Sequence, residues 1–95
     1  MTSVPAPFDP DWCIPPGETL KETLEEIKVG VEAFAEWSGL PLVWVKDFIR
    51  GDEELTAERA QMLEDTTCIP VRLWMRMEEI YRDGVARGKI VVRMV

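Results

Sequence analysis

Glycine and proline divide most of this chain into short segments, and this division is the strongest constraint on its fold. Within each segment, apolar residues recur at the spacing of one face of a helix. Each such face needs a core to cover it. The chain has 95 residues, 46% of them hydrophobic, which is enough for one core and too few for two. The sequence therefore predicts a single all-α domain of five helices.

The first two predicted helices follow from this spacing. The first should begin just after Pro16 and Gly17, where Glu18 in the first turn suits the helix dipole. The second should run from about residue 31 to residue 38 and end before a glycine. The apolar stripe of the first helix is Leu20, Leu24 and Ile27, and one face of the second carries Val31, Phe34, Ala35 and Ser38.

A tight turn should join the second predicted helix to a third. Gly39 stands where a left-handed residue would close the second helix, and Pro41 suits the first position of the next one. Gly51 then ends the third helix. Two short helices joined in this way form a helix-turn-helix, in which a small residue allows close approach and apolar residues anchor the second helix. The residues that define it here are Ala35, Gly39, Val45 and Phe48.

Two more helices complete the predicted domain. Thr56 is a good N-cap for the fourth, which should stop near residues 66–67. The fifth should start around Pro70 and run to about Arg87. Its stripe is wide and predicts contacts on two sides: it consists of Trp74, Met77 and Tyr81, widened by Leu73 and Ile80.

The two ends of the chain differ from this helical middle, residues 17–88. Residues 1–16 contain five prolines and predict an extended arm, whose second half we expect to pack on the domain through residues such as Phe8 and Trp12. Residues 89–95 are β-branched and predict a short strand that needs a partner. Ile90 and Val92 are its candidate contacts, either with the same segment of a second copy or with a sheet edge of another protein. A frayed, disordered tail is the alternative.

Composition excludes several classes of function. The chain has no histidine, and its two cysteines are far apart, so we expect no catalytic centre, metal site or cofactor. It has neither a signal peptide nor an apolar run long enough for a bilayer, which predicts a cytoplasmic protein without membrane contact. With 11 basic against 18 acidic residues, the net charge is -7. Any contact with nucleic acid must therefore depend on a local basic face.

Several motifs surround the predicted helix-turn-helix: Pro-Gly-Glu at 16–18, Thr-x-x-x-Ala at 56–60, and Leu73-Trp74 with Tyr81. Their order and spacing, over roughly residues 14–85, resembles the HigA-like antitoxin branch of the Xre, lambda-repressor-like helix-turn-helix family. The resemblance implies a five-helix domain that forms a homodimer, binds its own operator as a transcriptional regulator, and neutralises a small basic ribonuclease toxin.

The resemblance also implies which residues would meet DNA. The third helix would enter the major groove of double-stranded DNA. Its reading positions would be Pro41, Leu42, Val43, Trp44, Lys46, Asp47 and Arg50. Only Lys46 and Arg50 suit this task. Base edges are read by hydrogen bonds from Arg, Lys, Asn, Gln, Ser and Thr, and Leu42, Val43 and Trp44 cannot supply these.

This departure from the family pattern leaves two hypotheses open. The first is a DNA-binding regulator of antitoxin type. The second is a helix-turn-helix fold that engages a basic protein through Leu42, Val43, Trp44 and its acidic surface. Trp44 is equally compatible with exposure and with the core. For Trp37, which lies beyond the apolar stripe of its helix, we prefer a place beneath the N-terminal arm to a contact surface.

Overall fold

The computed structural model describes residues 11–92 of the chain. These residues form five helices and one pair of short strands. The helices are α1 (Pro16–Ile27), α2 (Val31–Ser38), α3 (Leu42–Arg50), α4 (Ala57–Thr67) and α5 (Val71–Ala86), and the strands are β1 (Trp12–Cys13) and β2 (Ile90–Val91). The prediction of a five-helix domain is therefore confirmed. Residues 1–10, which include Phe8 of the predicted arm, and residues 93–95 of the predicted tail lie outside the described part.

Proline and glycine set the helix ends for local reasons. Pro15, Pro41 and Pro70 each precede a helix in an extended conformation, because a proline fixes its own φ and has no N–H to leave unpaired. Gly39 and Gly51 close α2 and α3 with φ of 81° and 87°. α1 starts at Pro16, slightly earlier than predicted, because Pro15 already serves as its N-cap.

The core lies where the five helices meet. Its largest fully buried side chains include Leu20, Phe34, Phe48, Leu63 and Trp74. Phe48 and Trp74 bring α3 and α5 together, with ring centroids 6.3 Å apart. This core holds the second helix of the helix-turn-helix from behind and leaves its opposite face outward.

One part of the predicted apolar pattern lies outside this core. Leu73 and Ile80, expected to widen the buried stripe of α5, are 48% and 54% exposed. α5 packs against α4 and α1 on one side and against the strands on another, while these two side chains face away from the core. Ile27, the last residue of the predicted α1 stripe, is also exposed because α1 ends there.

The C-terminal strand pairs with the N-terminal segment of its own chain. β1 and β2 are parallel, with Trp12 opposite Ile90 and Cys13 opposite Val91. The Ile90 N–H donates to the carbonyl of Asp11 at 2.9 Å. This corrects the expectation of a partner strand from a second chain. Parallel strands need a long connection, and here the whole five-helix domain supplies it.

This strand pair lies on α5. Gly84 permits the contact, since a Cβ added there would lie 2.8 Å from the Cβ of Cys13. Residues 11–16, the described part of the predicted arm, therefore pack on the domain. Within the described residues, no helix is both long enough and apolar enough to cross a membrane.

Candidate nucleic-acid interface

The turn between α2 and α3 is closed by backbone and side-chain hydrogen bonds. The Gly39 N–H donates to the carbonyl of Ala35 at 3.0 Å, and the Leu40 N–H donates to Ser38 Oγ at 3.2 Å. Ala35 is buried, at 7% exposed, and its small side chain allows a close helix contact that a larger side chain would prevent. Val45 and Phe48 are buried beneath α3. The four residues that defined the predicted helix-turn-helix thus all lie at this junction.

Four of the seven predicted reading positions form one outward face of α3. Val43, Lys46, Asp47 and Arg50 follow the i, i+3, i+4, i+7 spacing that puts residues on one side of a helix. Val43 is 70% exposed, and Lys46 and Arg50 are also exposed. We call these four residues the outward face of α3. It offers an apolar contact, two cations and one carboxylate.

Trp44 does not belong to this face. It is 9% exposed and stacks on Phe48, with ring centroids 4.8 Å apart and ring planes 9° from parallel. The guanidinium of Arg59 lies 5.1 Å from the ring centroid and covers the other side of the ring. Of the two placements open from the sequence, the structure shows core packing. Trp44 is therefore corrected from a reading or partner-binding residue to a core residue.

The remaining reading positions lie at the start of α3. Pro41 is the exposed N-cap of the helix, and Leu42 is half-buried against the core. Ile90 and Val92, proposed as partner contacts, are exposed but belong to the strand pair on α5 rather than to α3. The structure therefore divides the predicted site residues among the outer side of α3, the core, and the strand pair on α5.

Trp37 does not lie beneath the described part of the N-terminal segment. It is 56% exposed on α2 and contacts the edge of Phe34, with ring centroids 6.2 Å apart. The segment from residue 11 packs on α5 instead, because its strand pairs there with β2. Residues 11–16 therefore do not cover Trp37, contrary to the preferred interpretation, and the alternative, a contact surface, stays a prediction.

The last residue of α3, Arg50, forms ion pairs with one acidic residue of the same helix and with one in the loop that follows. Arg50 pairs through Nη2 with Asp47, one turn earlier, and through Nε with Asp52 at 3.3 Å. The Asp52 N–H in turn donates to the carbonyl of Asp47 at 2.8 Å, which closes the loop after Gly51. The carboxylates of Asp47 and Asp52 are thus part of an ordered cluster around Arg50.

A buried carboxylate holds the loop between α3 and α4. Glu78 Oε2 accepts from the Leu55 N–H at 3.2 Å and from Arg82 Nε at 2.8 Å. Arg82 also donates to the carbonyl of Glu53 at 3.0 Å. Burial acts to lower the pKa of Arg82, but the hydrogen bond and charge of Glu78 outweigh it and raise the pKa above its ordinary value.

Sequence reasoning missed Glu78, although a signal for it was present. Glu78 lies four residues after Trp74 and three before Tyr81, on the same face as those buried side chains. A carboxylate at such a position needs hydrogen-bond donors from another element. Here it ties α5 to the loop that follows the outward face of α3.

The remaining described surface is strongly acidic on α1 and α2. Its exposed carboxylates are Glu22, Glu25, Glu26, Glu32 and Glu36. Within residues 11–92, no His, Cys, Asp or Glu side chains are grouped closely enough to hold a metal ion. The described residues thus present a helix-turn-helix with a mixed outward face and an acidic flank.

Comparison with known proteins agrees with this geometry. No known family profile matches the sequence, and no curated protein matches it. Among solved structures, the chain is similar to PA4674 from Pseudomonas aeruginosa, which was crystallised with its 18-bp operator DNA. The TM-score is 0.75 and the identity 26%, over 80% of this chain and 83% of PA4674. The protein therefore has the five-helix helix-turn-helix fold of a protein seen bound to its operator.

Proposed function

We propose that this protein is a DNA-binding transcriptional regulator that acts as a repressor, with α3 in the major groove. The observation that carries the proposal is the outward face of α3, which presents Lys46 and Arg50 to solvent in a fold shared with operator-bound PA4674. The second helix of a helix-turn-helix is the element that reads base edges. The burial of Trp44 supports this role, because it leaves no large aromatic side chain to obstruct that face.

A salt series with double-stranded DNA tests the proposal. Because binding releases counterions from phosphates, affinity should fall as salt rises. Lys46→Ala and Arg50→Ala should each weaken binding, and the double variant should abolish it. Arg72→Ala removes an exposed positive charge from α5 instead and should leave affinity unchanged. Absence of binding at low salt, or equal loss in the Arg72 variant, would contradict the proposal.

We further propose that the repressor is a homodimer. A groove of about 940 Å³ lies between the N-terminal segment and α5. Trp12, Ile14 and Ile80 line it and are 44%, 43% and 54% exposed. Apolar surface of this kind, bordered by charged groups of both signs, fits a two-fold interface with a second copy. Such a dimer presents two outward α3 faces to two operator half-sites.

We also propose an antitoxin role, in which the acidic flank formed by α1 and α2 covers a small basic toxin. It is supported by the resemblance described above, by the net charge of -7 and by the exposed carboxylates of α1 and α2. Isothermal titration calorimetry with the basic product of a neighbouring gene tests this role. Glu32→Lys with Glu36→Lys should weaken binding and reduce its salt dependence. Equal binding by this variant would place the contact elsewhere.

A protein-interaction module without DNA binding is the second candidate. The observation in its favour is Val43, which is 70% exposed in the first turn of α3. The burial of Trp44 removes the aromatic anchor on which the sequence hypothesis relied. The salt series separates the two candidates, since a protein module should show no duplex affinity at low salt.

A further inference from the structure

We propose that Arg50, Asp47 and Asp52 form a reading unit for a G·C base pair of the operator, with Asp52 as a positioning residue. The inference rests on the proposed DNA-binding function and adds the base that this part of α3 recognises. It starts from one arrangement: two carboxylates flank the last cation of the outward face of α3.

The arrangement orders a side chain that would otherwise be mobile. Arg50 is the last residue of α3, and its side chain is 58% exposed. A long exposed side chain loses considerable rotamer entropy when it binds. Asp47 holds Nη2 and Asp52 holds Nε, so two of the three guanidinium nitrogens are already engaged. Part of this entropy loss has therefore already occurred in the free protein.

The backbone fixes the position of Asp52. Gly51 has φ of 87°, and its N–H donates to the carbonyl of Phe48 at 3.0 Å. The next N–H, that of Asp52, donates to the carbonyl of Asp47 at 2.8 Å. The chain thus turns sharply back at the end of α3 and places the Asp52 carboxylate beside Arg50. Asp52 acts through Arg50 and needs no contact with DNA.

The donors and acceptors of the cluster match one base pair. A guanidinium carries five N–H groups, and the two ion pairs use two of them. The others can donate in parallel to guanine O6 and N7, the most common specific contact in the major groove. Asp47, with its side chain 25% exposed, presents an acceptor next to them, and cytosine offers an N4 amino group as donor.

The same carboxylates disfavour non-specific binding. A phosphate that approaches Arg50 meets two negative charges, and it must compete with them for the guanidinium. This lowers the affinity for DNA of any sequence and so raises the ratio of specific to non-specific binding. The acidic residues beside α3 are thus compatible with DNA binding and make it more selective.

Selection from a pool of randomised 18-bp duplexes tests the inference. Wild-type protein should enrich sites with a constant G·C pair in each half-site. Arg50→Lys keeps the charge but loses the planar fork, so it should lower the preference for that pair about tenfold. Asp52→Asn should raise affinity for unselected duplex and lower the G·C preference severalfold. Asp65→Asn, an isosteric change on the exposed side of α4, is the matched control and should change neither.

The outcomes separate this inference from the proposed function. Enrichment of sites without a constant G·C pair, or the same G·C preference after Arg50→Lys, would overturn the inference and leave the repressor intact. If Asp52→Asn lowers affinity for all duplexes alike, Asp52 is not a positioning residue and the inference fails. Absence of enrichment by the wild type would overturn both. Circular dichroism of each variant confirms that the helices are retained.

Discussion

Single residues decide how closely the elements of this protein approach one another. Gly17, in the first turn of α1, is buried against the end of α3. A Cβ added there would lie 1.9 Å from the carbonyl oxygen of Phe48, which is backbone and cannot rotate away. Glycine is therefore required at this position by a tertiary contact. This contact couples the start of the domain to α3, the candidate DNA-contacting helix.

Gly17→Ala should consequently destabilise the fold. The added methyl forces α1 away from α3, and overpacking of this kind costs about 3 kcal/mol in free energy of unfolding. Urea denaturation measures the loss. Gly30→Ala is the control, because a Cβ at Gly30 has only the end of the Glu32 side chain within 4 Å, at 3.9 Å. Similar losses in both variants would mean that the contact with Phe48 does not matter.

A second residue-scale prediction concerns the buried carboxylate. Glu78→Gln removes the charge that holds Arg82 and weakens the hydrogen bond to the Leu55 N–H, at a cost of about 2 kcal/mol. Glu79→Gln breaks an exposed ion pair with Arg76 and should cost at most about 0.5 kcal/mol. Thermal unfolding of the two variants compares them. An equal loss of stability in both variants would show that burial adds nothing to the strength of the ion pair between Glu78 and Arg82.

At the scale of elements, local signals and tertiary contacts have different roles. Prolines before α1, α3 and α5, and glycines after α2 and α3, mark helix ends that the sequence predicts closely. The two strands are different, because each is only two residues long and neither is stable without the other. Their pairing depends on α5, which carries both.

Gly84→Val should detach β1 from α5 and leave the helices in place. A side chain at Gly84 would collide with Cys13, whose thiol is buried. We expect alkylation of Cys13 to become at least about tenfold faster, measured after Cys68, the exposed cysteine, has been changed to Ser. Ala86→Val, at an exposed position of the same helix, serves as control. Continued protection of Cys13 would contradict the described packing.

At the scale of the whole molecule, two surfaces of opposite character lie apart from each other. The outward face of α3 carries Lys46 and Arg50, whereas the groove along α5 is apolar at its centre. A dimer through the groove would leave both α3 helices accessible, which a repressor with two half-sites requires. The net charge of -7 keeps general affinity for nucleic acid low, so recognition must come from the few contacts of α3.

Ile80→Glu should therefore separate assembly from folding. A carboxylate in the apolar groove should convert dimer to monomer in sedimentation, with helix content unchanged, because Ile80 is already 54% exposed. Affinity for a two-half-site duplex should fall, since two linked contacts become one. Glu26→Gln, on the exposed side of α1, is the control. A variant that remains dimeric would exclude this groove as the interface.

The amino-acid sequence by itself determined the elements and their order. Helical spacing, proline before helices and glycine after them depend on backbone geometry over a few residues, so the five helices and the turn at Gly39 were predictable. The candidate reading positions came from the family resemblance, and only four of the seven share the outward face of α3.

Only the tertiary structure decided which apolar side chains are covered and which charges meet. Spacing shows that residues share a face, but not which neighbour packs on it. Trp44 is buried because Phe48 and Arg59 enclose it, and Ile80 is exposed because nothing in the described chain covers it. The pairing of β1 with β2 and the contact of Arg50 with Asp52 depend on chain reversals whose direction no periodic pattern encodes.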